Sequence, residues 1–224
     1  MHKQLNKLII FAKAPVLGRV KSRIAVETGK EKALLIYLQL LENVFNQFNH
    51  SSSFDISCYS DQPEHVFFDR YKSNGIKFFQ QNGEDLGQRM YGALEYEIND
   101  SSSVVLIGSD CPAINKAVIE DAFQKLSSGC QSVIAPADDG GYVLIGFSKI
   151  GFSKIVFPGI ECSLSRQVFE NIDWGTEKVF QQTIEVFENL NVKACHLKMM
   201  ADIDTFADYQ KWQTGLNNQD PDFT

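Results

Sequence analysis

The sequence predicts an α/β fold: one domain with a mostly parallel central sheet and helices on both faces. Three observations carry that expectation. Short apolar runs alternate with amphipathic stretches of helical period along most of the chain. No Pro/Ser-rich linker divides the 224 residues, a length that suits one large domain. Apolar residues make up 44% and charged residues 22%, which excludes a fibrous or disordered chain.

Leu8–Ala12 is a compact apolar run with two β-branched residues, the pattern of a strand buried on both faces. From Lys30 to Phe48, Leu34, Tyr37, Leu38, Leu41, Val44, Phe45 and Phe48 fall on one helical stripe. Strands follow at Phe54–Tyr59 and Ile76–Phe79. A helix over Asp85–Ile98 turns Leu86, Met90, Ala93, Leu94 and Ile98 inward. Val104–Ile107 is a strand, and Asn115–Leu126 a helix burying Val118, Ala122, Phe123 and Leu126. Ser132–Ala135 and Tyr142–Phe147 are strands, Thr176–Leu190 a helix and Val192–Leu197 a last strand. Thr205–Trp212 closes the fold as a helix capped by Thr205 or Asp204. The expected domain is 1–215, followed by a polar, frayed tail over 216–224. The pentapeptide GFSKI occurs twice in Gly146–Ile155, too short a unit for a solenoid repeat.

Charge and composition narrow the function classes. The net charge of −7 argues against a partner held by its phosphate backbone, so no nucleic acid is expected. No apolar run approaches the ~20 residues of a membrane helix, and no secretory signal is visible. Five cysteines without C-x-x-C read as scattered reduced thiols in a cytoplasmic protein. The dinucleotide and P-loop glycine fingerprints are both absent.

In parallel sheets, ligands bind beyond the carboxyl ends of the strands, and the segments there are polar and glycine-rich. After the first strand, Lys13, Arg19, Lys21 and Arg23 crowd eleven residues with Pro15 and Gly18. Inward-turned backbone N–H groups followed by Lys and Arg suit a diphosphate, although a solvated basic loop has the same composition. After Val104–Ile107 comes Gly108-Ser109-Asp110-Cys111-Pro112. There Asp110 either holds Mg²⁺ or Mn²⁺ or caps a turn. Asp138-Asp139-Gly140-Gly141 makes a good hairpin turn and also offers Asp139 as a polar anchor. Asp202 and Asp204 follow the last strand; one suits an N-cap and the other a metal shared with Asp110.

Taken in order, these segments resemble a known family. They are Phe11–Pro15, Gly18–Arg23, Asp85-Leu86-Gly87-Gln88-Arg89-Met90, Gly108–Pro112, Asp139–Gly146, Trp174-Gly175-Thr176 and Asp202–Thr205. The series is similar to the bacterial glycosyltransferase-like family described as radical-SAM/selenodomain-associated transferase, within the nucleotide-diphospho-sugar transferase (GT-A) superfamily. That resemblance implies a GT-A fold and a donor that is a nucleotide diphosphate sugar. It implies nucleotide contacts at Lys13, Ala14, Pro15, Gly18, Lys21, Arg23 and Arg89. Asp110 becomes the metal ligand, with Asp202 or Asp204 reaching the same Mg²⁺ or Mn²⁺. Asp139, which matches the family motif, takes the catalytic place with Asp138, the general base staying open among Asp138, Asp139 and Asp202; Gly140, Gly141, Tyr142 and Trp174 face the substrate. The sequence departs at Ser22, Glu84 and Asp173, where the family has Thr, Gly and Pro. The expected function is sugar transfer to a small-molecule acceptor. The Lys21-Ser22-Arg23 and Asp110–Pro112 elements also resemble phospholactate and molybdenum-cofactor guanylyltransferases, so nucleotidyl transfer from a nucleoside triphosphate is the alternative. A noncatalytic nucleotide-binding module is a third reading.

Overall fold

The computed structural model describes residues 6–48, 51–153, 156–157, 160–161 and 164–218. The elements run β1 (Asn6–Ala12), α1 (Ser22–Thr28), α2 (Lys30–Phe48), β2 (Phe54–Ser60), α3 (Asp69–Lys72), β3 (Lys77–Gln80), α4 (Leu86–Ile98) and β4 (Ser103–Gly108). They continue with α5 (Lys116–Ser127), β5 (Ser132–Pro136), β6 (Tyr142–Ser148), α6 (Lys149–Ser153), β7 (Val156–Phe157), β8 (Ile160–Glu161), α7 (Leu164–Gln167), α8 (Val179–Asn189), β9 (Ala194–His196) and α9 (Phe206–Asn218).

Seven strands form one sheet in the order β3-β2-β1-β4-β6-β5-β9. β1 pairs in parallel with β2 and β4, β2 with β3, and β5 with β9. β6 runs antiparallel to both its neighbours, β4 and β5. Six strands therefore point one way, and their carboxyl ends share one edge. The hairpin of β5 and β6 is what turns a parallel sheet into a mixed one.

The strand period of two sorts β1 between two cores. Leu8, Ile10 and Ala12 join the cluster under α2 and α5, which contribute Tyr37, Leu41, Phe45, Ile119 and Phe123. Ile9 and Phe11 join the opposite cluster, with Met90, Ala93 and Leu94 from α4 and Phe187 from α8. A smaller cluster packs Ile24 of α1 and Ile36 and Leu40 of α2 against Ile203 and α9. This is why α2 buries more than one stripe: Ala33, Ile36 and Leu40 face α9, while Leu34 and Leu38 are only half-buried. Side-chain caps set two helix starts, Asp85 accepting from the Gln88 amide and Asn115 from Val118.

Four expectations need correction. The stretch after β1 is not all loop, because Ser22 opens α1. Leu86 is 44% exposed, as the first residue of α4. The last helix runs to Asn218, past the expected end at Trp212, and 219–224 lie outside the described residues. The thiols are not all reduced. Cys130, just before β5, is disulfide-bonded to Cys195 of β9, because the parallel pairing of these strands brings distant residues together. Cys58 and Cys111 are free and buried, and Cys162 lies outside the described residues. Among the described residues no helix is long and apolar enough to cross a membrane.

The disulfide closes a loop with a sequence separation of 65, a span for which chain entropy allows up to about 4 kcal/mol. Dithiothreitol should lower the Tm by roughly 5–10 °C, and Cys130→Ser should do so without reductant. A Tm indifferent to reduction would contradict the crosslink.

Candidate functional site

The segments leaving β1, β2, β3, β4, β5 and β9 gather at the common carboxyl edge. A cleft of about 470 Å³ opens there, lined among others by Lys13, Lys21, Arg23, Gln81, Arg89, Asp110 and Asp204. Ala14, Pro15 and Gly18 do not line it. Ala14 and Pro15 are buried, and Gly18 turns at φ 75° with its α-carbon facing the Lys30 side chain.

The backbone amides of the first loop are largely committed within the protein. The Lys13 N–H donates to the Tyr37 hydroxyl at 2.8 Å, and that hydroxyl donates back to the Lys13 carbonyl at 2.9 Å. Burial and the nearby Asp110 push the Tyr37 pKa upward, so the hydroxyl keeps its proton. The Ala14 N–H donates to Asp61 Oδ1 at 2.7 Å, and the Val16 and Arg19 amides bond within the loop. The expectation of amides turned toward a diphosphate is therefore corrected for these four positions. What the loop presents to the cleft is the exposed side chain of Lys13, which has no ion-pair partner among the described residues.

Lys21 does something the sequence did not disclose. It stands at the N-cap of α1 in the left-handed region, φ 48° and ψ 50°, with its side chain only 5% exposed. Its ammonium lies 2.9 Å from Asp110 Oδ2 and 3.6 Å from Asp204 Oδ1, and it donates to the Ile203 carbonyl. Arg23, 68% exposed, reaches Asp204 Oδ2 at 2.6 Å from the solvent side. Two further bonds join the segments after β4 and β9: the Ile203 N–H donates to the Asp110 carbonyl at 2.9 Å, and the Cys111 thiol to the Ala201 carbonyl at 3.3 Å. Burial pushes that thiol up to about 11, so it stays protonated.

Asp139, Asp202 and Asp204 bring carboxylate oxygens within 4.8 Å of one another. Neither aspartate beside the last helix caps it. Thr205 does, in a capping box: its hydroxyl accepts from the Asp208 amide, and its own amide donates to the Asp208 carboxylate. Asp202 and Asp204 are thus left to the site. An all-oxygen donor set of this kind suits a hard divalent cation such as Mg²⁺ or Mn²⁺. The electrostatics agree. Burial, then Asp204 and Asp139, push Asp202 from its ordinary 3.8 to about 6, with Lys21 opposing them.

Asp139 answers to both of its sequence readings. It sits in the β5–β6 turn, where its Oδ1 accepts from the Gly141 amide at 2.9 Å, and it also faces Asp202. Asp138 is exposed on the same turn. Gly140 has φ 87°, and a Cβ there would collide with the Glu177 carbonyl; its own carbonyl accepts from the Phe180 amide. The start of α8 therefore clamps the turn. Tyr142 and Trp174 do not line the cleft. They meet edge-on at 6.3 Å, and Trp174 packs over Gly87, where a Cβ would lie 2.7 Å from the indole nitrogen. Arg89 donates from Nε to the Gly83 carbonyl at 2.9 Å. It borders both the cleft and a neighbouring hollow of about 330 Å³ walled by Tyr59, Phe79 and Tyr96.

A family model described as "Uncharacterized protein conserved in bacteria (DUF2064)" matches residues 46–176, more than half of the chain. A solved structure of a candidate nucleotide-diphospho-sugar transferase from Desulfovibrio desulfuricans G20 superposes with a TM-score of 0.81. It is 28% identical, over 95% of this chain and 88% of the other. A cytidylyltransferase from Leptospira borgpetersenii serovar Hardjo-bovis aligns at TM-score 0.59 and 14% identity, over 96% and 87%. The 4-diphosphocytidyl-2C-methyl-D-erythritol synthase from Anaerococcus prevotii DSM 20548 aligns at 0.59 and 13%, over 96% of each chain. At those identities the last two share the fold. No curated protein matches.

The raised Asp202 pKa gives the site a pH signature. The folded state holds this proton where the unfolded chain has lost it, so the stability it contributes is complete below about pH 4 and lost as the pH rises through 6. Because Asp202 is partly solvated, water screens the effect to ~1 kcal/mol. Asp202→Asn should raise the Tm by roughly 2–4 °C at pH 7.5 and leave it unchanged at pH 4. An equal shift at both pH values would mean that ionisation of Asp202 is not the cause.

Proposed function

The chain belongs to the bacterial family DUF2064, and within it we propose a transferase that moves a sugar from a nucleotide diphosphate sugar to a small-molecule acceptor. The observation that carries this reading is the cleft at the carboxyl edge of the sheet, lined by Lys13, Arg89, Asp110 and Asp204, with Asp139 and Asp202 grouped beside Asp204. Lys13 and Arg89 have no carboxylate partner among the described residues, so they meet the donor diphosphate. The 28% identity to a candidate nucleotide-diphospho-sugar transferase over 95% of the chain supports the same donor class.

Asp139, Asp202 and Asp204, with Asp110 beside them, would hold Mg²⁺ or Mn²⁺, and the cation would neutralise charge developing on the departing diphosphate. The protein's own work is orientation and charge balance, which suits a transfer with no covalent intermediate. Tyr37 fixes the first loop so that Lys13 enters the cleft from a set backbone. The Gly140–Glu177 contact holds the hairpin turn, and with it Asp139, against the last strand's segment. With Asp139 and Asp202 in the acidic group, exposed Asp138 is left to take the acceptor's proton. Gly140, Gly141, Tyr142 and Trp174 act through this scaffold and not by touching donor.

Lys13→Ala and Arg89→Ala should each weaken a nucleoside diphosphate about tenfold, the weight of one charge-assisted contact, and leave a nucleoside nearly unaffected. Isothermal titration with Mn²⁺ present reads both ligands, and equal losses for both would contradict the diphosphate site. Product analysis then decides the reaction. Free nucleoside diphosphate is expected; pyrophosphate released from a triphosphate would establish nucleotidyl transfer instead.

A further inference from the structure

We propose that Lys21 is a positioning residue and not a phosphate ligand: its ammonium is the built-in counter-ion that holds Asp110 and Asp204 in one site. The proposal rests on the metal-dependent reading of that site given above. Three observations support it. The Lys21 ammonium faces inward on three oxygens: it donates to the Ile203 carbonyl, lies 2.9 Å from Asp110 Oδ2 and stands within ion-pair range of Asp204 Oδ1 at 3.6 Å. Its side chain is almost completely buried, whereas Arg23, which holds Asp204 from outside, is open to solvent. And Lys21 keeps a left-handed backbone with no glycine to ease it, a conformation that persists only where surrounding contacts enforce it.

The arrangement has a consequence for charge. Asp110, Asp139, Asp202 and Asp204 outnumber Lys21 and Arg23 by two negative charges, a deficit that one divalent cation meets. Without the ammonium, Asp110 and Asp204 repel each other, and the hydrogen bonds that then join their segments among the described residues are Ile203–Asp110 and Cys111–Ala201. Lys21 thus sets the geometry into which the cation fits.

Mn²⁺ titration followed by electron paramagnetic resonance tests this with the metal alone. Lys21→Met adds a net negative charge, which by itself would tighten Mn²⁺. The positioning role predicts the reverse: at least tenfold weaker Mn²⁺ in Lys21→Met, with Lys21→Arg binding Mn²⁺ more tightly than Lys21→Met, because the charge is retained. Mn²⁺ bound as tightly or more tightly by Lys21→Met would overturn the proposal. Wild type that binds no Mn²⁺ would sink the metal reading of the site instead. Amine acylation of the wild-type protein, read by peptide mass, tests Lys21 whether or not the variant folds and whether or not Mn²⁺ binds. Lys21 should react at least tenfold more slowly than exposed Lys30, with or without a nucleoside diphosphate. Fast labelling that the nucleotide suppresses would make Lys21 a phosphate ligand and overturn the inference.

Discussion

Repulsion among carboxylates gathered at one edge of the sheet is the constraint that the surrounding structure answers. Asp110 follows β4, Asp139 sits in the turn after β5, and Asp202 and Asp204 follow β9. Six strands running in one direction deliver them to the same edge, where burial first, and then Asp204 and Asp139, push the Asp202 carboxyl upward. Lys21 offsets part of it from within, and Arg23 offsets part from outside at lower worth, because water screens an exposed pair. The divalent cation proposed for the site would offset the rest.

The fold serves that gathering at each level. Leu8, Ile10 and their neighbours bury β1 on both faces, which fixes where the first loop begins. Tyr37 then ties the loop to α2, and the small cluster of Ile24, Ile36, Leu40 and Ile203 seats α1 so that Lys21 reaches two segments at once. On the other side, the antiparallel β6 brings the Asp139 turn back beside the last strand. Burial decides where the elements go, and the ionic contacts decide how the ends of the strands are spaced.

Much of this was legible in the sequence, and the rest was hidden for physical reasons. The helix over Lys30–Phe48 and the buried strand at its start show in apolar spacing alone, because local period and burial agree there. The rule that ligands gather beyond strand ends picked out Asp110, Asp139, Asp202 and Asp204 before any contact was known. Their division of labour was not readable, since Lys21 and Ile203 meet across 182 residues. The Cys130–Cys195 disulfide depends in the same way on the pairing of β5 with β9. Short helices escape periodicity as well: α1 has seven residues and one buried side chain. The repeated pentapeptide makes the limit plain. Gly-Phe-Ser is strand at 146–148 and helix at 151–153, so tertiary position overrides local preference there.

The most direct test of the account is anomalous diffraction from crystals soaked in Mn²⁺ and a nucleoside diphosphate. The account predicts one Mn²⁺ peak bounded by Asp139, Asp202 and Asp204, with the diphosphate between it and Lys13, and Lys21 still bonded to Asp110. A diphosphate seated elsewhere, or no peak at the three carboxylates, would contradict it.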